Sequence, residues 1–187
     1  MNINIIVAYC KNNGIGLNNQ LPWNIPEELK RFAEITKGSG NNAIIMGRNT
    51  HESIGKVLSD RFNIVLSTTK KYDNLETCNS LESALSLCKD KKFDEIFIIG
   101  GQSVYEEALN KKLVHKIYAT EINKQYECDR FFPHISDHYI THQENKVINN
   151  IDVFFKTYDI GCKCALRSHI KGKLVLPTTS RRATTSD

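Results

Sequence analysis

The sequence predicts an α/β protein whose centre is a mostly parallel β-sheet. Three observations point there: short β-branched runs with hardly a polar interruption, amphipathic helical stretches set between them, and a change to alternating patterning after Pro133. Continuous apolar runs suit strands covered on both faces by helices, whereas alternation suits antiparallel strands at a half-covered edge.

The elements follow in order. Residues 3–9 form the first strand; no basic segment precedes it, and it falls far short of the ~20 residues that a bilayer span requires. Residues 26–36 read as a helix with Leu29, Phe32, Ala33 and Ile35 as its apolar set. Residues 42–46, 63–66 and 95–99 are three more buried strands. A short helix over 50–54 and a longer one over 80–89, with Leu81, Ala84, Leu85 and Leu87 inward, lie between them. Ser80 is the N-cap of the longer helix and Glu82 complements its dipole, but Ser83 stands where a full capping box would need Glu or Gln. A helix over 103–109 is entered directly from Gly100-Gly101, and residues 116–122 form a further strand. Strands over 138–143 and 152–158 then make the antiparallel edge, and the parallel part needs right-handed crossovers. Residues 1–160 are therefore one domain, and 161–187, which lose all periodicity, are a tail outside it.

A chain of 187 residues can bury roughly 70% of its unfolded surface, so it needs no disulfide staples. Six cysteines scattered along it read as free thiols in a reducing compartment, and the lack of any Asn-X-Ser/Thr sequon fits a cytoplasmic protein. A formal charge of +4 is too mild for a dedicated nucleic-acid binder but suits anionic small ligands. No metal site is expected. His51-Glu52 lacks the second histidine of a zinc-protease motif, and His134, His138 and His142 follow Pro133 in a strand-like stretch rather than a helix. Cys162-Lys163-Cys164 with His169 lies in the tail.

The usual dinucleotide fingerprint is missing, since Asn19 stands where Gly14-Ile15-Gly16 would need a third glycine. Gly100-Gly101 ends an apolar strand and precedes a helix, the place where open α/β sheets bind ligands, although a plain turn would use the same pair. Glu27 and Glu28 both complement the dipole of their helix, but Glu28 lies nearer the apolar face, and a carboxylate there is costly unless a partner or ligand uses it. Arg48 and the amides after it leave a strand for a helix, an arrangement that can hold phosphate.

Eight segments, in order over residues 2–158, together resemble the dihydrofolate reductases. They are Ile5 to Ala8, the loop from Gly14 to Trp23, the helix start from Ile25 to Phe32, and Ile45-Met46-Gly47-Arg48-Asn49-Thr50. Glu52-Ser53-Ile54-Gly55, Arg61 with Leu66-Ser67-Thr68, the stretch from Ile99 to Tyr105, and the stretch from Glu127 to Pro133 complete the set. The resemblance implies a central, mostly parallel eight-stranded sheet with an antiparallel C-terminal strand, flanked by four helices, and reduction of 7,8-dihydrofolate by NADPH in a monomer that binds neither nucleic acid nor membrane.

It also implies roles for individual residues. Glu28 would bind the pterin ring through N3 and the 2-amino group and help to deliver a proton toward N5, with Thr120 bonded to the same carboxylate. Trp23 and Leu21 would belong to a loop that closes over the site, Trp23 counting with Glu28 and Thr120 as catalytic. Ile6, Val7, Ala8, Leu29, Phe32, Ser53, Ile54, Leu58 and Ile99 would line the substrate pocket, and Arg61 would hold the α-carboxylate of a glutamate tail. Ala8, Ile15, Gly16 and Ile99 would contact the nicotinamide. Gly47, Arg48, Asn49, Thr50, Leu66, Ser67 and Thr68, with Gly100, Gly101, Gln102, Ser103, Val104 and Tyr105, would hold the rest of the cofactor, the glycine pair being joined by a cis peptide. Two alternatives are a sister reductase acting on a riboflavin precursor and a folate- or RNA-binding module without turnover. Glu28, Trp23 and Arg61 together favour the pterin, and the modest charge disfavours RNA.

Overall fold

The structure, a computed structural model, describes residues 2–161. The proposed tail, with Cys162, Cys164 and His169, lies outside the described residues except for Gly161. In chain order the elements are β1 (Asn2–Cys10), β2 (Gly14–Gly16), α1 (Pro26–Lys37), β3 (Ala43–Gly47), α2 (Arg48–Ile54), β4 (Phe62–Leu66) and β5 (Glu76–Cys78). There follow α3 (Leu81–Lys91), β6 (Glu95–Ile98), α4 (Gln102–Asn110), β7 (Lys116–Ile122), β8 (Arg130–Phe131), a single 3-10 turn (Asp137–Tyr139), β9 (Ile140–Ile148) and β10 (Ile151–Asp159).

Eight strands form one sheet in the order β5-β4-β3-β6-β1-β7-β10-β9, and β2 pairs with β8 in a small second sheet. From β5 to β7 all pairings are parallel, while β10 runs antiparallel to both of its neighbours. The four α-helices and the antiparallel C-terminal strand match the expected architecture. The apolar runs do what their continuity implies. Ile3, Ile5, Val7 and Tyr9 of β1 enter one core cluster while Ile6 enters another on the opposite face, and β3 divides likewise, with Ile45 on one side and Ile44 and Met46 on the other.

Several local expectations are corrected. The helix expected over 50–54 starts two residues earlier, at Arg48, because β3 ends at Gly47 and the chain turns directly into α2. Ser83 does complete a capping box: the Ser80 hydroxyl accepts from its backbone N–H at 3.1 Å, and its own hydroxyl accepts from the Ser80 N–H at 3.2 Å, so a short hydroxyl replaces the expected Glu or Gln. The strand expected over 138–143 begins only at Ile140, since Asp137–Tyr139 make one 3-10 turn capped by Ser136. β9 then continues to Ile148 and turns back through Asn149 and Asn150, both at positive φ, as a tight two-residue hairpin requires. With His138 in that turn and His142 in β9, the two histidines share no helix.

Candidate active site

A cleft of 1520 Å³ opens at the C-terminal ends of the parallel strands, where β1, β3, β4 and β6 hand over to loops and helices. Its walls explain an oddity of α1. The residues of that helix buried against the protein are Glu28 and Thr36, while Leu29 is 50% exposed. The reason is that Leu29, Phe32 and Ala33 face the cleft, so part of the helix's apolar stripe lines a space, while Phe32 and Ile35 also pack against the core beneath. Ile54 of α2 and Leu58 beyond it extend this apolar half, and Ile6, Val7 and Ala8 of β1 and Ile99 after β6 contribute to the lining.

Glu28 is 7% exposed and faces this half of the cleft. Among the described residues its carboxyl makes no hydrogen bond, and burial pushes it up to about 7 from an ordinary 4.5, against the opposing pull of the Arg31 guanidinium. Close by, the Tyr105 hydroxyl donates to the Ile6 carbonyl at 2.9 Å, and burial, helped by the charge of Glu28, holds that phenol protonated. At the other end of the apolar half, Arg61 is fixed by Nη1 donating to Thr36 Oγ1 at 2.8 Å and Nε donating to the Ser59 carbonyl at 2.8 Å, with its guanidinium 5.9 Å from the centre of the Phe32 ring. A cation in a half-buried setting at the end of an apolar slot suits a carboxylate on an elongated ligand.

The second half of the cleft is polar and close to backbone. The peptide between Gly100 and Gly101 is cis, Gly100 has φ 122°, and its carbonyl accepts from the Gly47 N–H at 2.7 Å. A Cβ on Gly100 would lie 3.3 Å from the Tyr105 hydroxyl, and one on Gly101 3.3 Å from Thr50 Oγ1, so side chains there would crowd α4 and α2. Gly47, Arg48, Asn49 and Thr50 on one side, Leu66, Ser67 and Thr68 on another, and Gln102, Ser103, Val104 and Tyr105 on a third complete this half, with Ile15 and Gly16 joining from β2. Arg48 Nη1 donates to Thr69 Oγ1 at 3.5 Å, holding its charge near the hydroxyls that follow β4.

Residues 17–20 lie at the mouth. Leu17 and Gln20 exchange backbone hydrogen bonds of 2.9 Å around Asn18 and Asn19, both at positive φ, and the Ser53 hydroxyl donates to the Asn19 carbonyl, tying this turn to α2.

All of the residues expected to bind substrate or cofactor line the one cleft. Of the three expected to be catalytic, Glu28 does and two do not. Trp23 is 8% exposed and lies beneath the loop, edge-on to Tyr126 at 5.7 Å, in a cluster with Ile25, Val153 and Phe155. The large apolar area of the indole is better satisfied against β10, although its Nε1 is buried with no partner among the described residues. Thr120 is buried on β7, its hydroxyl accepts from Arg31 Nη1 at 3.4 Å, and no bond to Glu28 is formed. Sequence reasoning passed over Arg31, one of several cations on a helix whose other basic residue in that turn, Lys30, is solvent-exposed. It also passed over Lys37, Lys56 and Asp129, which line the rim.

Known proteins share these features in sequence. A family model described as dihydrofolate reductase matches residues 2–159. A dihydrofolate reductase of Drosophila melanogaster is 40% identical over 149 residues, 73% of this chain and 82% of the relative. One from Aedes albopictus is 37% identical over 163 residues, 79% of this chain and 88% of the relative. A bifunctional dihydrofolate reductase-thymidylate synthase of Arabidopsis thaliana is 41% identical over 145 residues, which are 69% of this chain but only 26% of that longer protein.

Proposed function

Because this chain belongs to the dihydrofolate reductase family, we propose that it reduces 7,8-dihydrofolate to tetrahydrofolate at the cleft, one hydride and one proton being added across the N5–C6 bond. The observation that carries this reading is Glu28: a buried carboxyl in the apolar half of the cleft, with no hydrogen-bond partner among the described residues and a proton held up to about pH 7.

The flat pterin fits the slot between Leu29 and Phe32 of α1 and Ile6 to Ala8 of β1. There the Glu28 oxygens accept from ring N3 and the 2-amino group, and the carboxyl acts as the source of the proton for N5, relayed through water. Arg61, pinned by Thr36 and Ser59, takes the α-carboxylate of the glutamate tail. The turn at residues 17–20, tied to α2 through Ser53, excludes bulk water.

The residues of the polar half fit NADPH. Gly47, Gly100 and Gly101 pack closely with one another and with Thr50, Val104 and Tyr105, which leaves bare backbone at the cleft wall, and Arg48 with Ser67 and Thr68 in the same lining supplies the cation and hydroxyls that an extra ribose phosphate needs. NADPH supplies the hydride when bound. Ala8, Ile15 and Ile99 would shape an apolar seat for the nicotinamide, and Tyr105, held to the Ile6 carbonyl, would help to hold its ribose.

Residues 1–160 form the catalytic domain in this reading. The family match ends at 159, where β10 also ends. Among the described residues no helix is long and apolar enough to cross a membrane. The free thiols of Cys10, Cys78, Cys88 and Cys128 support a reducing compartment, the cytoplasm in this reading.

The test is NADPH oxidation followed by absorbance with dihydrofolate, for the wild type and Glu28→Gln. The wild type turns over, and the variant, which keeps the size of the side chain but holds no transferable proton, loses roughly 10²- to 10⁴-fold in kcat at neutral pH. A folded wild type without turnover would overturn the assignment.

A further inference from the structure

Four residues on four neighbouring strands form a row across the sheet: Ala8 of β1 is in register with Thr120 of β7, Thr120 with Phe155 of β10, and Phe155 with Glu144 of β9. Registered partners project from the same face, so the row runs from the cleft to the outermost strand. Arg31 of α1 reaches across it. Its Nη1 donates to Thr120 Oγ1 at 3.4 Å, and its Cζ is 5.1 Å from the centre of the Phe155 ring. Arg31 feels the negative charge of Glu28, one helical turn before it, and that of Glu144 at the far end of the row, and its own charge acts in return on Glu28.

We propose that Arg31 is a positioning residue for Glu28: it braces the helix that carries the acid against this row, and its single charge is divided between Glu28 inside the cleft and Glu144 on the exposed edge strand. The proposal deepens the reductase reading and rests on it for the acid's role, but not for the electrostatics. Around Glu28 stand Arg31 of its own helix and Tyr105 of α4. Around Arg31 stand Tyr118 and Thr120 of β7, Phe155 of β10 and Glu144 of β9. Tyr118 in turn feels Glu95 of β6. Lys146 of β9 pairs with Glu144 at 3.1 Å and sits 5.5 Å from the same Phe155 ring, so it competes with Arg31 for that carboxylate.

Two substitutions should therefore move Glu28 in opposite directions. Arg31→Met leaves burial unopposed and raises the titration midpoint of Glu28 by roughly one unit. Glu144→Gln frees Arg31 to act on Glu28 and lowers the midpoint by a smaller amount. Arg31→Lys keeps the charge and stays near the wild type.

The measurement is a carbon NMR titration of the Glu28 carboxyl in the full chain without ligands, beside the pH profile of kcat/KM. In the Arg31→Met background, Glu144→Gln should lose most of its effect, because the coupling runs through the guanidinium. A Glu144→Gln shift that persists there undiminished, or an unmoved midpoint in the Glu144→Gln variant alone, overturns the proposal. The second result stands even if Arg31→Met fails to fold, since Glu144 is exposed on an edge strand. Opposed shifts in a chain that does not oxidise NADPH would sink the reductase reading and leave this coupling intact.

Discussion

A buried carboxyl that keeps its proton to about pH 7 ties the stability of the fold to pH in the sense opposite to that of a salt-bridged acid. The folded chain holds a proton on Glu28 that the unfolded chain releases near 4.5. Between those values the native state binds more protons, so stability falls as pH rises through the window and levels off above it. The full loss from this one group is on the order of 3 kcal/mol. Glu28→Gln should therefore match the wild type at pH 4 and exceed it in stability at pH 8, as read from urea unfolding at both values. Exposed acids held low by lysines, such as Glu52 and Glu82, work in the other direction but are common to both proteins and cancel in the comparison. Glu28 was legible in the sequence because helical periodicity set it beside the apolar stripe and its neighbour Glu27 away from it. Arg31 was not. Its partners Thr120, Phe155 and Glu144 come from strands about 90 to 125 residues further along, and no local pattern announces a contact made by sheet register.

Among the elements, the small β2–β8 sheet depends on one residue without a side chain. A Cβ on Gly14 would lie 2.6 Å from the Cβ of Cys128 and 3.0 Å from Sγ of Cys10, both next to backbone that cannot retreat far. Gly14→Ala should cost about 1 to 3 kcal/mol, the usual range for overpacking, and because β2 leads into the turn at the cleft mouth it should also raise KM for both substrates. Thermal unfolding and steady-state kinetics measure the two effects. The long apolar strands and the four α-helices were readable because their periods repeat. β2, β5 and β8, two or three residues each, contain no period to read and exist only through pairing with partners already in place. β9 escaped in part for another reason: it is an edge strand, exposed for nearly all its length and charged at Glu144 and Lys146, which guards against pairing with other chains but hides the alternation that marks a strand.

For the molecule as a whole, the hydrogen bonds that close the fold come late in the chain: β10 pairs with β7 up to Asp159, and the Ile160 N–H donates to the His115 carbonyl at 2.9 Å. A chain ended after Gly161 should keep its unfolding midpoint within a few degrees and its kcat within about two-fold, since the family match and the last strand both end at residue 159; calorimetry and the NADPH assay would show it. Loss of either would bring the remaining residues into the catalytic unit. The sheet order carries a last consequence, for how the protein is made. β1 sits between β6 and β7, so neither edge of this strongly apolar strand has its partner until residues 95 to 122 have been added. At roughly 5 to 20 residues per second a ribosome needs about 6 to 20 seconds to reach that point. For that interval the nascent chain carries an unpaired central strand, which makes this stretch the natural place for a chaperone to bind during translation.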